Sequence, residues 1–158
     1  VSPDAARFFF NLREASSQMD FDLDLAVKED SQNPVYYVQY AFARICSILR
    51  TLESDGMAFS PCTSEELSVL SSEEETELIR HISAFTDEII AAAKAYAPTR
   101  ITRYVITLAT LFHKFYNARR IRNEKEEIAK ARLALCVATA TVIKNVLNMF
   151  RISSPENM

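Results

Sequence analysis

Tyr36, Tyr40 and Arg44 stand at successive i+4 positions behind an Asn33-Pro34 pair, off the apolar stripe of the same segment. Two aromatic rings and a guanidinium in one line can stack on bases while the cation meets phosphate. The same spacing also suits tyrosines that border a helical core with their hydroxyls in water. A second constellation, His113-Lys114-Phe115-Tyr116-Asn117-Ala118-Arg119-Arg120-Ile121-Arg122, crowds three arginines into four positions near a tyrosine. Cations near a helix C-terminus are favoured by its dipole, yet Arg119, Arg120 and Arg122 exceed what a helix end needs. Basic loops with aromatic neighbours are how single-stranded nucleic-acid loops are gripped. Both readings of each constellation stay open on spacing alone.

Other chemistry has weaker support. His81 and His113 are two isolated histidines, too few for a metal site or a triad. Cys46, Cys62 and Cys136 are far apart, with no CxxC pair and no histidine cluster beside them. Cys46 and Cys136 read as small core residues on helices. No P-loop and no GxGxxG is present. The run Glu73-Glu74-Glu75 reads as the solvated, dipole-matched start of a helix. No catalytic residue and no metal ligand is expected.

The elements that must position these residues are helical. Gly56 is the single glycine, and both tight hairpins and phosphate cradles need glycine. Ser2-Pro3 opens a helix to about Arg13, and a turn through Asp20–Leu25 leads into a short helix ending near Asp30. Asn33-Pro34 starts a long helix to about Ser54, with Val35, Val38, Phe42, Ile45 and Leu49 inward. A polar connection follows, with a helical turn expected after Thr63. Ser72 with Glu75 is a capping box opening a helix that Pro98 stops, with Leu78, Ile82, Phe85 and Ile89 inward. The next runs from Thr99 to Ala118 on Ile101, Val105, Leu108, Phe112 and Phe115. Asn123 with Glu126 reads as another capping box for a last helix carrying Leu133, Val137, Thr141 and Val146. The expected fold is all-α, an antiparallel helical bundle.

The net charge of −3 conceals an asymmetry. Thr51–Ile90 holds one basic residue against ten acidic ones, whereas Lys94–Arg132 holds ten basic against three acidic. A ligand meets a local surface, so a polyanion could meet the second half. No apolar run approaches the ~18 residues a membrane span needs. Thiols that read as reduced suggest a cytoplasmic protein. The chain opens at Val1, without methionine and within a helical pattern, so it is expected to be part of a longer protein.

With the motifs placed, the chain resembles the C-terminal region of the arginyl-tRNA synthetases, which are class I enzymes. Asp4-Ala5-Ala6-Arg7-Phe8-Phe9-Phe10 and Asp20-Phe21-Asp22-Leu23-Asp24-Leu25 resemble the segment leaving the catalytic domain. Asn33 through Arg44 resembles the signature opening the anticodon-binding domain, and His113-Lys114-Phe115-Tyr116-Asn117 its penultimate helix end. Ala131-Arg132-Leu133-Ala134-Leu135 stands where the motif naming the DALR fold lies, and Pro155-Glu156-Asn157-Met158 resembles the family's terminal Pro-Glu-Arg-Met. Phe42 stands where a histidine is common, and Asn157 where an arginine is common.

The resemblance implies a DALR-type anticodon-binding domain over residues 34–158, with residues 1–33 connecting it to a catalytic domain that this chain lacks. Such a chain would bind without catalysing and would hold no cofactor; ATP and arginine would be used by the catalytic domain. The implied partners are tRNA-Arg and that domain, with no DNA and no membrane. Tyr40 and Arg44 would contact the anticodon stem-loop, Tyr116 would pack on a loop base, and Met158 would lie nearby. Arg132 would join them, or else pair with an acidic residue. The competing expectation is a helical protein-interaction module that docks through the acidic helix after Ser72. Salt dependence separates the two, because phosphate binding weakens steeply with salt.

Overall fold

The computed structural model describes residues 1–158 as eight helices and no strand. Local signals start most of them. Ser2 accepts a hydrogen bond from the Ala5 N–H at 3.1 Å, with Pro3 in the first turn, and opens α1 (Pro3–Asn11). Asp22 caps the single turn α2 (Leu23–Ala26). Asn33 caps α3 (Pro34–Ser54) through Val35 N–H and donates to the Lys28 carbonyl at 2.8 Å, fastening the preceding loop to the helix start. After α3 the chain turns at Gly56, whose φ of 87° a larger residue would resist. The turn after Thr63 is α4 (Ser64–Leu67), which carries its own capping box with Glu66.

Ser72 and Glu75 form the expected capping box, but the helix they start is broken in two. α5 (Glu73–Ser83) ends at Ala84 and α6 (Phe85–Ala95) begins there, with no proline or glycine at the break. Two causes are visible. Ser83 Oγ donates to the Ile79 carbonyl at 2.8 Å, the back-bond that bends helices. Phe85 stacks on Tyr104 of the following helix at 5.3 Å, turning α6 across it. α6 ends on Tyr96 in the left-handed region, and α7 (Thr99–Ala118) follows Pro98. His81 stacks on the Tyr104 ring at 4.1 Å and accepts that phenol's hydrogen bond at its carbonyl, so it is structural. Burial pushes the Tyr104 hydroxyl up to about 12.

The second expected capping box does not form. Asn123 adopts φ 61°, a conformation asparagine tolerates, and sits in the loop. α8 (Glu126–Met149) starts behind Lys125 with no side-chain cap. On α8 the buried stripe is Leu133, Cys136, Ala140, Ile143 and Leu147; Thr141, expected inward, is exposed. Its displacement follows from Val137, one turn earlier, which lies at the edge of the stripe. Cys136 is buried as expected, whereas Cys46 is only half-buried.

α7 is the central helix, packing against α1, α3, α5, α6 and α8. Val105, Leu108, Ala109, Phe112 and Phe115 of α7 are wholly buried in one continuous core. α1 belongs to that core through Ala5, Phe8 and Phe9. After α8 the tail Ile152–Met158 doubles back along α3. Ser153 bonds to Asp4 and to the Gln39 amide, and Arg50 donates to Asn157 at 2.7 Å. This strap brings Met158 beside the exposed flank of α3.

Candidate nucleic-acid interface

Where α3 and α7 lie side by side, one turn of each supplies a mixed aromatic and cationic surface. On α3, Tyr40 and Arg44 are a turn apart; on α7, His113 and Tyr116 are three residues apart. The Arg44 guanidinium carbon lies 5.5 Å from the Tyr40 ring centre and 4.9 Å from that of Tyr116. A cation lodged against two aromatic faces is held in place, with its charge left for a ligand. No carboxylate of the chain pairs with it: Arg44 is in none of the ion pairs or side-chain hydrogen bonds. Tyr116 in turn stacks on the buried ring of Phe112 at 6.0 Å, which fixes its plane from below.

Arg44 divides a long groove. On one side a cavity of about 560 Å³ is lined by Arg44, Tyr116, Asn117 and the three loop arginines. On the other, a cavity of about 260 Å³ is lined by Tyr40, Arg44, Arg50, Glu156, Asn157 and Met158. Beyond Tyr40, a smaller recess holds Ser31, Tyr36 and Tyr37. The expected residues Tyr36, Tyr40, Arg44, Tyr116, Arg119, Arg120, Arg122 and Met158 therefore line one continuous surface.

The loop arginines are not equivalent. Arg119 donates through Nε and Nη2 to one Glu74 oxygen, at 2.9 and 2.8 Å. Arg122 pairs with Asp55 at 2.7 and 3.1 Å. Arg120 has no ion pair. Lys114, on the outer face of α7, pairs with Glu77 at 2.7 Å.

This architecture recurs in known proteins. The model of the DALR anticodon binding domain family matches residues 38–158. The chain belongs to that family. The chain is 51% identical over its whole length to the arginine–tRNA ligases of Caldanaerobacter subterraneus and Acetivibrio thermocellus. It spans 28% of the length of each of these curated relatives. Its fold superimposes on Thermus thermophilus arginyl-tRNA synthetase with a TM-score of 0.81 and 27% identity, covering 98% of this chain and 26% of that one. The Plasmodium falciparum arginyl-tRNA synthetase gives 0.80 and 26%, with the same coverage.

One expected contact residue lies elsewhere. Arg132 is buried, and its Nε donates to Glu75 at 2.7 Å while Nη1 reaches the Arg120 carbonyl and Glu124. It holds the arginine loop from behind and does not reach the groove. Glu75 is likewise not part of a solvated face: only 1% of it is exposed. Burial tends to raise its carboxyl, but the bonds from Arg132 and from Ser72 outweigh this and hold it below the usual glutamate range.

Two further residues stand beside this surface: His113, which opens the basic constellation in the sequence, and Tyr37, which spacing did not single out. Tyr37 and His113 face each other at 5.0 Å, with Tyr40 6.0 Å from the same imidazole, so His113 backs the Tyr40 ring and Tyr37 lines the recess beside it. The available signal was His113 standing three residues before Tyr116, on the same helix face. His113 Nε2 is buried with no hydrogen-bond partner. Burial, with the Arg44 charge adding to it, holds this imidazole below the usual histidine range. A depressed native value means that the unfolded chain takes the proton first. His113 therefore contributes stability that is complete above pH ~6.5 and is lost as pH falls from there towards its folded value. His113→Phe should flatten this part of the stability–pH curve, read from urea midpoints between pH 7.5 and 5.

Proposed function

We propose that the groove binds the anticodon stem-loop of tRNA-Arg, and that the chain serves as the C-terminal, RNA-binding part of an arginine–tRNA ligase. The observation that carries this is the Arg44 guanidinium set between the Tyr40 and Tyr116 rings, at the mouth of an arginine-rich loop. Rings of this kind stack on unpaired bases, and free guanidinium groups meet the phosphates between them. The ligases it resembles are more than three times its length, and we assign ATP and arginine to the part of such a protein outside this chain. On this reading residues 34–158 are the binding unit and residues 1–33 lead to the catalytic domain. The free cysteines suit the cytoplasm, where such a ligase would work. No helix is long and apolar enough to cross a membrane.

The reading of the acidic helix as a protein-docking face has less support. Glu74, Glu75 and Glu77 of α5 are committed to Arg119, Arg132 and Lys114.

Binding of the chain to a tRNA-Arg transcript, and to the same transcript with a scrambled anticodon loop, at two salt concentrations tests the proposal. The intact loop should bind more tightly, and both affinities should fall as salt rises through counterion release. Equal binding of the two RNAs would remove the groove's claim to read the loop.

A further inference from the structure

The groove's cations divide into two kinds. Arg44, Arg50 and Arg120 carry no carboxylate, whereas Arg119 and Arg122 already carry one each on the guanidinium edge that a phosphate would use. Glu74 is the more enclosed of the two carboxylates, with 17% of its side chain exposed against 37% for Asp55. It is the second residue of α5, where the helix dipole favours a negative charge. The bond from Arg119 holds its carboxyl below the usual range, so it stays ionised at neutral pH. Glu74 and Glu75 are neighbours with different tasks. Glu75, through Arg132, builds the loop that presents Arg119, and Glu74 then occupies the guanidinium so presented.

We propose that Glu74 is a built-in competitor that occupies Arg119 and keeps it from phosphates unless an RNA is held by other contacts as well. An RNA that offers only phosphate must displace Glu74 for little gain. An RNA loop that also stacks on Tyr40 and Tyr116 has the additional binding free energy to do so. The competitor thus lowers the affinity for every RNA that uses Arg119 by the same factor, which leaves an RNA held by phosphate alone unbound at concentrations where a loop that also stacks stays bound. The distinction between intact and scrambled loops rests on the function proposed above; the competition for Arg119 does not.

Glu74→Gln keeps the shape and removes the charge. Glu73→Gln removes the same charge from the adjacent exposed position, which has no arginine partner. Both should be compared with the unaltered chain for binding poly(U), the tRNA-Arg transcript and its scrambled-loop form over a salt series. Glu74→Gln should tighten poly(U) and the scrambled transcript about threefold, the order set by a partly exposed ion pair. The intact transcript should gain by the same factor, from a tighter starting affinity. The slope of log affinity against log salt for poly(U) should steepen by about 0.7, the value for one more phosphate neutralised on a single strand. Glu73→Gln should do neither. If Glu74→Gln weakens poly(U), or shifts it no more than Glu73→Gln does, Glu74 only braces the loop and the inference falls. If the unaltered chain shows no preference for the intact loop, the proposed function fails instead, and the poly(U) comparison still decides the role of Glu74.

Discussion

Replacing Arg132 by alanine is expected to destabilise the chain by about 3–5 kcal/mol, the range for breaking one side of a buried ion pair. Arg132 is 8% exposed and its partner Glu75 only 1%. Removal would leave a carboxylate in the core with its capping bond to the Ser72 N–H and no counter-charge. The Arg120 carbonyl would also lose its donor, so α5, the arginine loop and α8 would come apart at one point. Urea denaturation followed by circular dichroism should show a lower midpoint with an unchanged slope. A compensated pair, Arg132→Met with Glu75→Gln, should recover much of the loss, because the cost lies mainly in the orphaned charge. A loss below about 1 kcal/mol, the size of an exposed pair, would mean that water already solvates this site.

The same network shows where sequence reading stops. Helix starts were legible because their signals are local: Ser2-Pro3, Asn33-Pro34 and Ser72 with Glu75 each cap within three residues. The break at Ala84 was not, since it depends on Phe85 meeting Tyr104 of another helix. Asn123 carried the residue pattern of a cap but took a left-handed turn, and pattern alone does not choose between the two. Within the site, Tyr40 and Arg44 could be paired by i+4 spacing, whereas the meeting of Arg44 with Tyr116 needs α3 against α7. The carboxylates were the least legible. Three consecutive glutamates look alike in sequence, yet about 100° of helical rotation per residue gives them different surroundings. Glu73 faces solvent, Glu74 faces Arg119 and Glu75 faces the core. Arg119 and Glu74 are 45 residues apart, and Arg122 and Asp55 are 67 apart, separations at which only the packed bundle selects partners.

Tyr116→Ala should weaken binding of the tRNA-Arg transcript by about 1–3 kcal/mol, roughly five- to 150-fold, the worth of one base–aromatic stack. The ring is half-buried, lies on Phe112 and has Arg44 against its other flank, so it is a rigid platform that needs little ordering when a base arrives. Its removal acts twice, since Arg44 loses one of the two rings that hold it. The variants Tyr116→Ala and Arg44→Ala should therefore be non-additive, with the double variant binding more tightly than the product of the single losses would give. Tyr116→Phe keeps the stacking face and should stay close to the unaltered affinity. Circular dichroism and thermal melting identify any variant whose bundle has loosened, because Tyr116 packs against the core that Phe112 and Phe115 fill. A folded Tyr116→Ala chain with unchanged RNA affinity would exclude this ring from the interface and leave Arg44 to act with Tyr40 alone. Additive single losses would show instead that the two residues meet separate parts of the RNA, one a base and the other a phosphate.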